Sequence, residues 1–111
     1  MIIAIPIAQG SFSQHFGHCE TFRLFHTDKE KNIIKVKDKT PPPHEPGVFP
    51  KWLSEEKADV IITGGMGMHA KQLFASYGIE VISGASSGDP ETIVKNWLNG
   101  TLISGGNICD H

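Results

Sequence analysis

The sequence predicts one α/β domain: a mixed five-stranded sheet, with one antiparallel strand supplied by a β-hairpin, flanked by helices. Three observations predict it. A β-branched apolar run opens the chain, two alternating segments around a polar turn follow, and two strand–helix units end the pattern. Strand–helix–strand succession calls for parallel pairing through right-handed crossovers. The hairpin brings one strand of opposite direction into the same sheet.

Ile2–Ala8 is rich in isoleucine and reads as a strand buried on both faces. Residues 9–19 hold Gly10, Ser11, Ser13 and Gly17 and read as a loop. Thr21–Thr27 sets Phe22, Leu24 and His26 on one side and Arg23 and Phe25 on the other. Residues 33–38 set Ile34, Val36 and Asp38 against Ile33, Lys35 and Lys37, with the polar turn 28–32 between the two segments. Three successive prolines at 41–43 make a stiff, extended connector. A short helix is expected from near Pro50, with Phe49, Trp52 and Leu53 facing the core. Residues 59–63 form a strand that runs into Gly64-Gly65-Met66-Gly67. A helix follows with Ala70, Leu73, Phe74 and Tyr77 on its apolar face, and Gly78 stops it. Residues 79–83 are the last strand. Asp89-Pro90-Glu91 starts the last helix, with Ile93, Val94, Trp97 and Leu98 inward. The domain then spans 1–100, and 101–111 form a C-terminal tail carrying Cys-x-His.

Composition narrows the function. The chain has 111 residues, 39% hydrophobic and 20% charged, enough to fold without a disulfide or a metal. Metal ligands would therefore serve function rather than scaffolding. A net charge of −2 disfavours a nucleic-acid binder. No apolar run approaches the ~20 residues that span a bilayer, and the opening residues lack the charged start of a signal sequence. The expectation is a cytoplasmic protein whose two cysteines are thiols. Carboxylates fall in turns and helix starts, with no pair placed for two-metal hydrolysis and no nucleophile elbow. The expectation is a protein that is not an enzyme.

Three groups of residues carry possible chemistry. Ser13-Gln14-His15-Phe16-Gly17-His18-Cys19 puts two imidazoles and a thiol in one loop after the first strand. Those are donors for zinc, copper and iron–sulfur-type centres; the alternative is a loop with solvated histidines and a half-buried cysteine. Gly64, Gly65 and Gly67, with His69 behind them, leave bare N–H groups at a helix start, which suit an anion such as a metallocluster. The alternative there is a tight turn needing glycine for its backbone geometry. Cys109 and His111 form a possible two-ligand clip, or a frayed end. His44 is a further candidate, and His26 reads as structural.

Read in order, Ser13-x-His15-Phe16-Gly17, Pro46-Gly47, Ile61-Ile62-x-Gly64-Gly65-Met66-Gly67, Gly78-Ile79-Glu80-Val81 and Asn99-Gly100-x-Leu102 resemble the dinitrogenase iron–molybdenum cofactor biosynthesis family. That family includes NifX and NafY type carriers and the C-terminal domain of NifB. The resemblance covers nearly the whole chain. It implies a ribonuclease-H-like motif and non-catalytic binding or transfer of an iron–molybdenum-type or other iron–sulfur-type cluster. It also implies a metallocluster-assembly or acceptor protein as partner. It marks His15 as a cluster ligand or neighbour, Gly64, Gly65 and Gly67 as the glycine turn, and Cys109 and His111 as a tail seen in some small members. His18, Cys19 and His69 add donors beyond the family pattern. A second reading is a mononuclear metal-binding protein using His15, His18, Cys19 and the tail. A third is a ribonuclease-H-like or nucleotide-binding enzyme, for which a carboxylate cluster is missing.

Overall fold

A computed structural model of the chain describes residues 1–13, 19–43, 45, 47–85 and 88–101. Along these run β1 (Ile2–Ala8), β2 (Ser11–Phe12), β3 (Thr21–Thr27), β4 (Ile33–Lys39), α1 (Val48–Glu55), β5 (Val60–Ile62), α2 (Met68–Ser76), β6 (Glu80–Ile82) and α3 (Pro90–Leu98). The sheet order is β4-β3-β1-β5-β6, with β2 also paired to β1. β3 runs antiparallel to both its neighbours, while β1, β5 and β6 are parallel. The expected five-strand path with one reversed strand is present, and β2 makes the sheet six-stranded.

β2 lies in a segment whose composition predicts a loop. It forms because Gln9 and Gly10 both take positive φ, 52° and 77°, which turns β1 back on itself through a two-residue hairpin. Ile7 then faces Phe12, and Ala8 faces Ser11.

Both faces of β1 are covered, and its side chains divide between them with a period of two. Ile3, Ile5 and Ile7 join Phe25, Val60 and Ile62 in a cluster packed under Ile93, Val94 and Leu98 of α3. Ala4 joins Phe22, Leu24 and Ile61 in a second cluster under Phe49 and Leu53 of α1 and Phe74 of α2. Pro6 sits in this central strand although it has no N–H to give. The Ile2 N–H donates to the Asp59 carboxylate on the β5 side at 2.8 Å. By alternation the Pro6 nitrogen faces that side too. β1 and β5 pair only at Ile3↔Val60 and Ala4↔Ile61, so the missing donor falls beyond the ladder.

Two helix boundaries differ from expectation. α1 begins at Val48, two residues before Pro50, because Gly47 (φ 82°) turns the connector into the helix. α2 ends at Ser76. The Gly78 N–H donates to the Ala75 carbonyl at 2.9 Å and the Ile79 N–H to the Phe74 carbonyl at 3.0 Å. That double bond pattern with left-handed Gly78 (φ 77°) closes the helix. Tyr77 is left at the cap, 44% exposed, not on the apolar face. Among the described residues no helix is long and apolar enough to cross a membrane.

The second cluster centres on Phe22, whose ring meets Phe49 edge-on at 5.3 Å and Trp52 at 5.8 Å. Phe22→Ala empties a fully buried site and should cost about 3–5 kcal/mol in urea unfolding. A loss below about 1 kcal/mol would mean that α1 collapses onto the sheet without it.

Candidate functional site

β1, β5 and β6 are parallel, so their carboxyl ends lie at one end of the sheet, where open α/β sheets collect ligands. The early loop starts and finishes there. The Ser13 N–H donates to the Pro6 carbonyl at 2.9 Å and the Glu20 N–H to the Ile7 carbonyl at 2.8 Å. The Gln9 N–H donates to Glu20 Oε1 at 2.6 Å, tying the hairpin turn to the returning chain. His15 and His18 lie outside the described residues, as do His44, Cys109 and His111. Cys19 is half-buried and packs against the cluster that contains Met66. The loop's thiol end and the glycine turn therefore border the same apolar cluster.

The glycine turn follows β5. Thr63 is fully buried. Its N–H donates to the Ile82 carbonyl at 2.9 Å, and its carbonyl accepts from the Ala85 N–H at 3.2 Å. The Gly84 N–H donates to the Gly64 carbonyl at 2.7 Å. These bonds extend the β5–β6 pairing into both loops. Gly64, Gly65 and Met66 are buried, and Gly67 is exposed.

Glycine is often required by a left-handed backbone. That reason fails here, since none of Gly64, Gly65 and Gly67 has positive φ. Gly67, at φ −68° and ψ 159°, is ordinary extended backbone. Crowding fails too: a Cβ built on Gly67 meets nothing within 4 Å. What its missing side chain leaves is open space in front of α2.

The start of α2 has no side-chain cap and no acidic residue in its first turn. Its first N–H groups thus face that space without a side-chain acceptor among the described residues. α3 is built the opposite way: Asp89 Oδ2 accepts from the Thr92 N–H at 3.1 Å and from its hydroxyl at 3.2 Å. His69 is the second residue of α2 and is exposed beside the turn. An uncapped helix start behind uncrowded glycines is suited to an anion, through N–H donors and the helix dipole together.

Sequence reasoning singles out the early loop and the glycine turn but misses residues 83–85. Their signal is a small-residue run, Ser83-Gly84-Ala85, between a strand and a capped helix start. Among the described residues no three His, Cys, Asp or Glu side chains come together to hold a metal ion.

Burial pushes the Cys19 thiol up to about 12, and a hydrogen bond with its own backbone offsets only part of this. At neutral pH its thiolate fraction is on the order of a thousandfold below that of an ordinary thiol. In a Cys109→Ser background, iodoacetamide should alkylate Cys19 at least about a hundredfold more slowly than N-acetylcysteine at pH 7.5. Equal rates would place the thiol in open solvent.

A profile described as dinitrogenase iron–molybdenum cofactor matches residues 1–100. No curated protein matches the chain. Among solved structures, PH0822 is 27% identical, with 95% of each chain covered and a TM-score of 0.86. The apo form of the orange protein from Desulfovibrio gigas is 20% identical, covering 96% of this chain and 93% of its own, with a TM-score of 0.76. A candidate dinitrogenase from Methanocaldococcus jannaschii is 19% identical, with 96% of each chain covered and a TM-score of 0.74. The last two likenesses speak to the fold alone.

Proposed function

The chain belongs to the dinitrogenase iron–molybdenum cofactor family, and from that premise we propose that it is a non-catalytic carrier of an iron–molybdenum-type or other iron–sulfur-type metallocluster. The observation that carries this reading is Gly67: a glycine that neither backbone nor packing requires, kept open in front of an uncapped helix.

The cluster is cargo, received preassembled from one protein and passed to another. Sulfide-bearing clusters are usually anionic, and the N–H groups of Met68, His69 and Ala70 would donate to them. The α2 dipole favours negative charge at the same place. Gly64 and Gly65 form the buried floor of the turn, Gly67 lets the backbone come close, and the His69 imidazole adds a donor or ligand at the rim. His15, His18 and Cys19 would supply nitrogen and sulfur from the early loop, and Cys109 and His111 from the tail. The raised Cys19 pKa supports loose holding, because coordination must first displace a proton from sulfur. A carrier needs that reversibility more than it needs maximal affinity.

The test separates binding from folding. Gly67→Asp supplies the cap that α2 lacks, so the folded state should hold or gain a few tenths of a kcal/mol. The same carboxylate repels an anionic cluster at the helix start. After anaerobic reconstitution with iron and sulfide and then desalting, broad visible absorption and metal per chain should fall about tenfold. His15→Ala should lower retention several-fold in the same assay. Full retention by a folded Gly67→Asp protein would remove the α2 start from the site. Metal bound without visible absorption would point to a single ion instead.

A further inference from the structure

The opposite end of the sheet holds a cavity. It lies where β1 begins and β3 ends, at the far end of the parallel strands from the glycine turn. The Thr27 N–H donates to the Met1 carbonyl at 2.9 Å there. Beside this bond opens a cavity of about 720 Å³, with Trp97 and Leu98 of α3 on one side and Asp28, Lys29 and Lys31 of the β3–β4 turn on the other. A smaller cavity of about 220 Å³ shares Lys31 and Leu98 and continues past Asn32 and Lys95. The larger one has the size of small-molecule sites.

Its rim carries two lysines against one carboxylate, a net positive side-chain charge. Asp28 Oδ1 accepts the N–H groups of Glu30 and Asn32 at 2.9 Å each, so this carboxylate is bound into the turn. Those bonds hold it below the usual carboxylate range. The described ion pairs are Arg23–Asp38, Lys39–Glu56 and Lys95–Glu91. Lys29 and Lys31 belong to none of them. Lys31 also takes φ 66°, at the loop position that glycine or asparagine fills with less strain. The turn itself sets that conformation, since the Lys31 N–H donates to the Asp28 carbonyl at 3.2 Å and the Asp28 N–H to the Asn32 carbonyl at 3.0 Å, and it leaves Lys31 lining both cavities.

We propose that this cavity binds a small organic anion with an aromatic body. The flat apolar part lies against Trp97 and Leu98, and the anionic group sits between the Lys29 and Lys31 ammonium groups. The cluster site plays no part in this binding.

The probe is 8-anilinonaphthalene-1-sulfonate, titrated calorimetrically into the cluster-free full chain, with neutral N-phenyl-1-naphthylamine as its uncharged counterpart. The sulfonate should saturate one site, and the neutral probe should bind about tenfold more weakly. Lys29→Glu with Lys31→Glu should raise the Kd about tenfold or more. Lys35→Glu with Lys37→Glu changes net charge equally on β4, away from the cavity, and should shift the Kd less than about twofold. Gly67→Asp should leave it unchanged. Urea unfolding of each variant confirms the fold. No saturable binding by the wild-type chain overturns the proposal. So does equal weakening by both lysine pairs, or equal affinity for the neutral probe. Loss of sulfonate binding in Gly67→Asp would place the probe at the glycine turn and overturn it as well.

Discussion

Everything in this molecule takes its position from the burial of β1 on both faces and both edges. Ile3, Ile5 and Ile7 point into one apolar cluster, and Ala4 into the other. A one-residue slip would exchange the two sets and put isoleucines where an alanine fits. On its edges β1 pairs with β3 on one side and with β5 and the short β2 on the other. Pro6 is tolerated because pairing with β5 has already ended at Ala4. The ladder's early end leaves an edge of β1 for β2, and β2 delivers the chain to Ser13. One strand thus fixes the feet of the donor-rich loop at its carboxyl end. At its amino end it frames the lysine-rimmed cavity.

The two helix starts beside the parallel strand ends are a matched contrast. α3 satisfies its own first turn with Asp89, a bond that ties the helix to its loop. α2 starts on a glycine with nothing in front of it. The turn is not loose for that: Gly64 is held from the 83–85 loop by a 2.7 Å backbone bond, and Thr63 is fully buried beneath it. A rigid floor with an unfilled front is the arrangement expected where backbone donors must be pre-placed for an incoming charge. Cys19 approaches the same region as a neutral thiol, so it adds no negative charge beside the uncapped helix start.

Much of this was legible in the residues. Isoleucine-rich β1 and the alternation of Phe22 and Leu24 against Phe25 specify buried strands through shape and period, so order and direction follow. Asp89-Pro90 marks the start of α3 because cap chemistry is local. β2 was not legible: a glutamine at φ 52° carries no turn signal, and two residues show no period. Tyr77 misleads because helical spacing continues one residue past the point where Gly78 ends the helix. The glycine turn was visible as a pattern, yet its meaning was not. Only the dihedral angles separate glycines that shape a turn from glycines that leave room. The larger cavity had no sequence signal, since it is assembled from residues at the start, in the first hairpin and near the end of the chain. The donors His15, His18, Cys109 and His111 were legible as chemistry but lie outside the described residues, and of the early loop only its feet at Ser13 and Glu20 are placed.

The unfilled front of α2 has a further consequence for how a delivery protein could be recognised. A helix whose first donors lack acceptors frays more readily than one that is capped, and with glycine at the cap the deficit is about a few tenths of a kcal/mol. In the proposed carrier role an anion at that position would remove it, so the first turn of α2 would tighten on loading and relax on release. Freight and stiffness would then rise and fall together. A docking protein that grips this turn could sort full molecules from empty ones by touch, without contacting the metal.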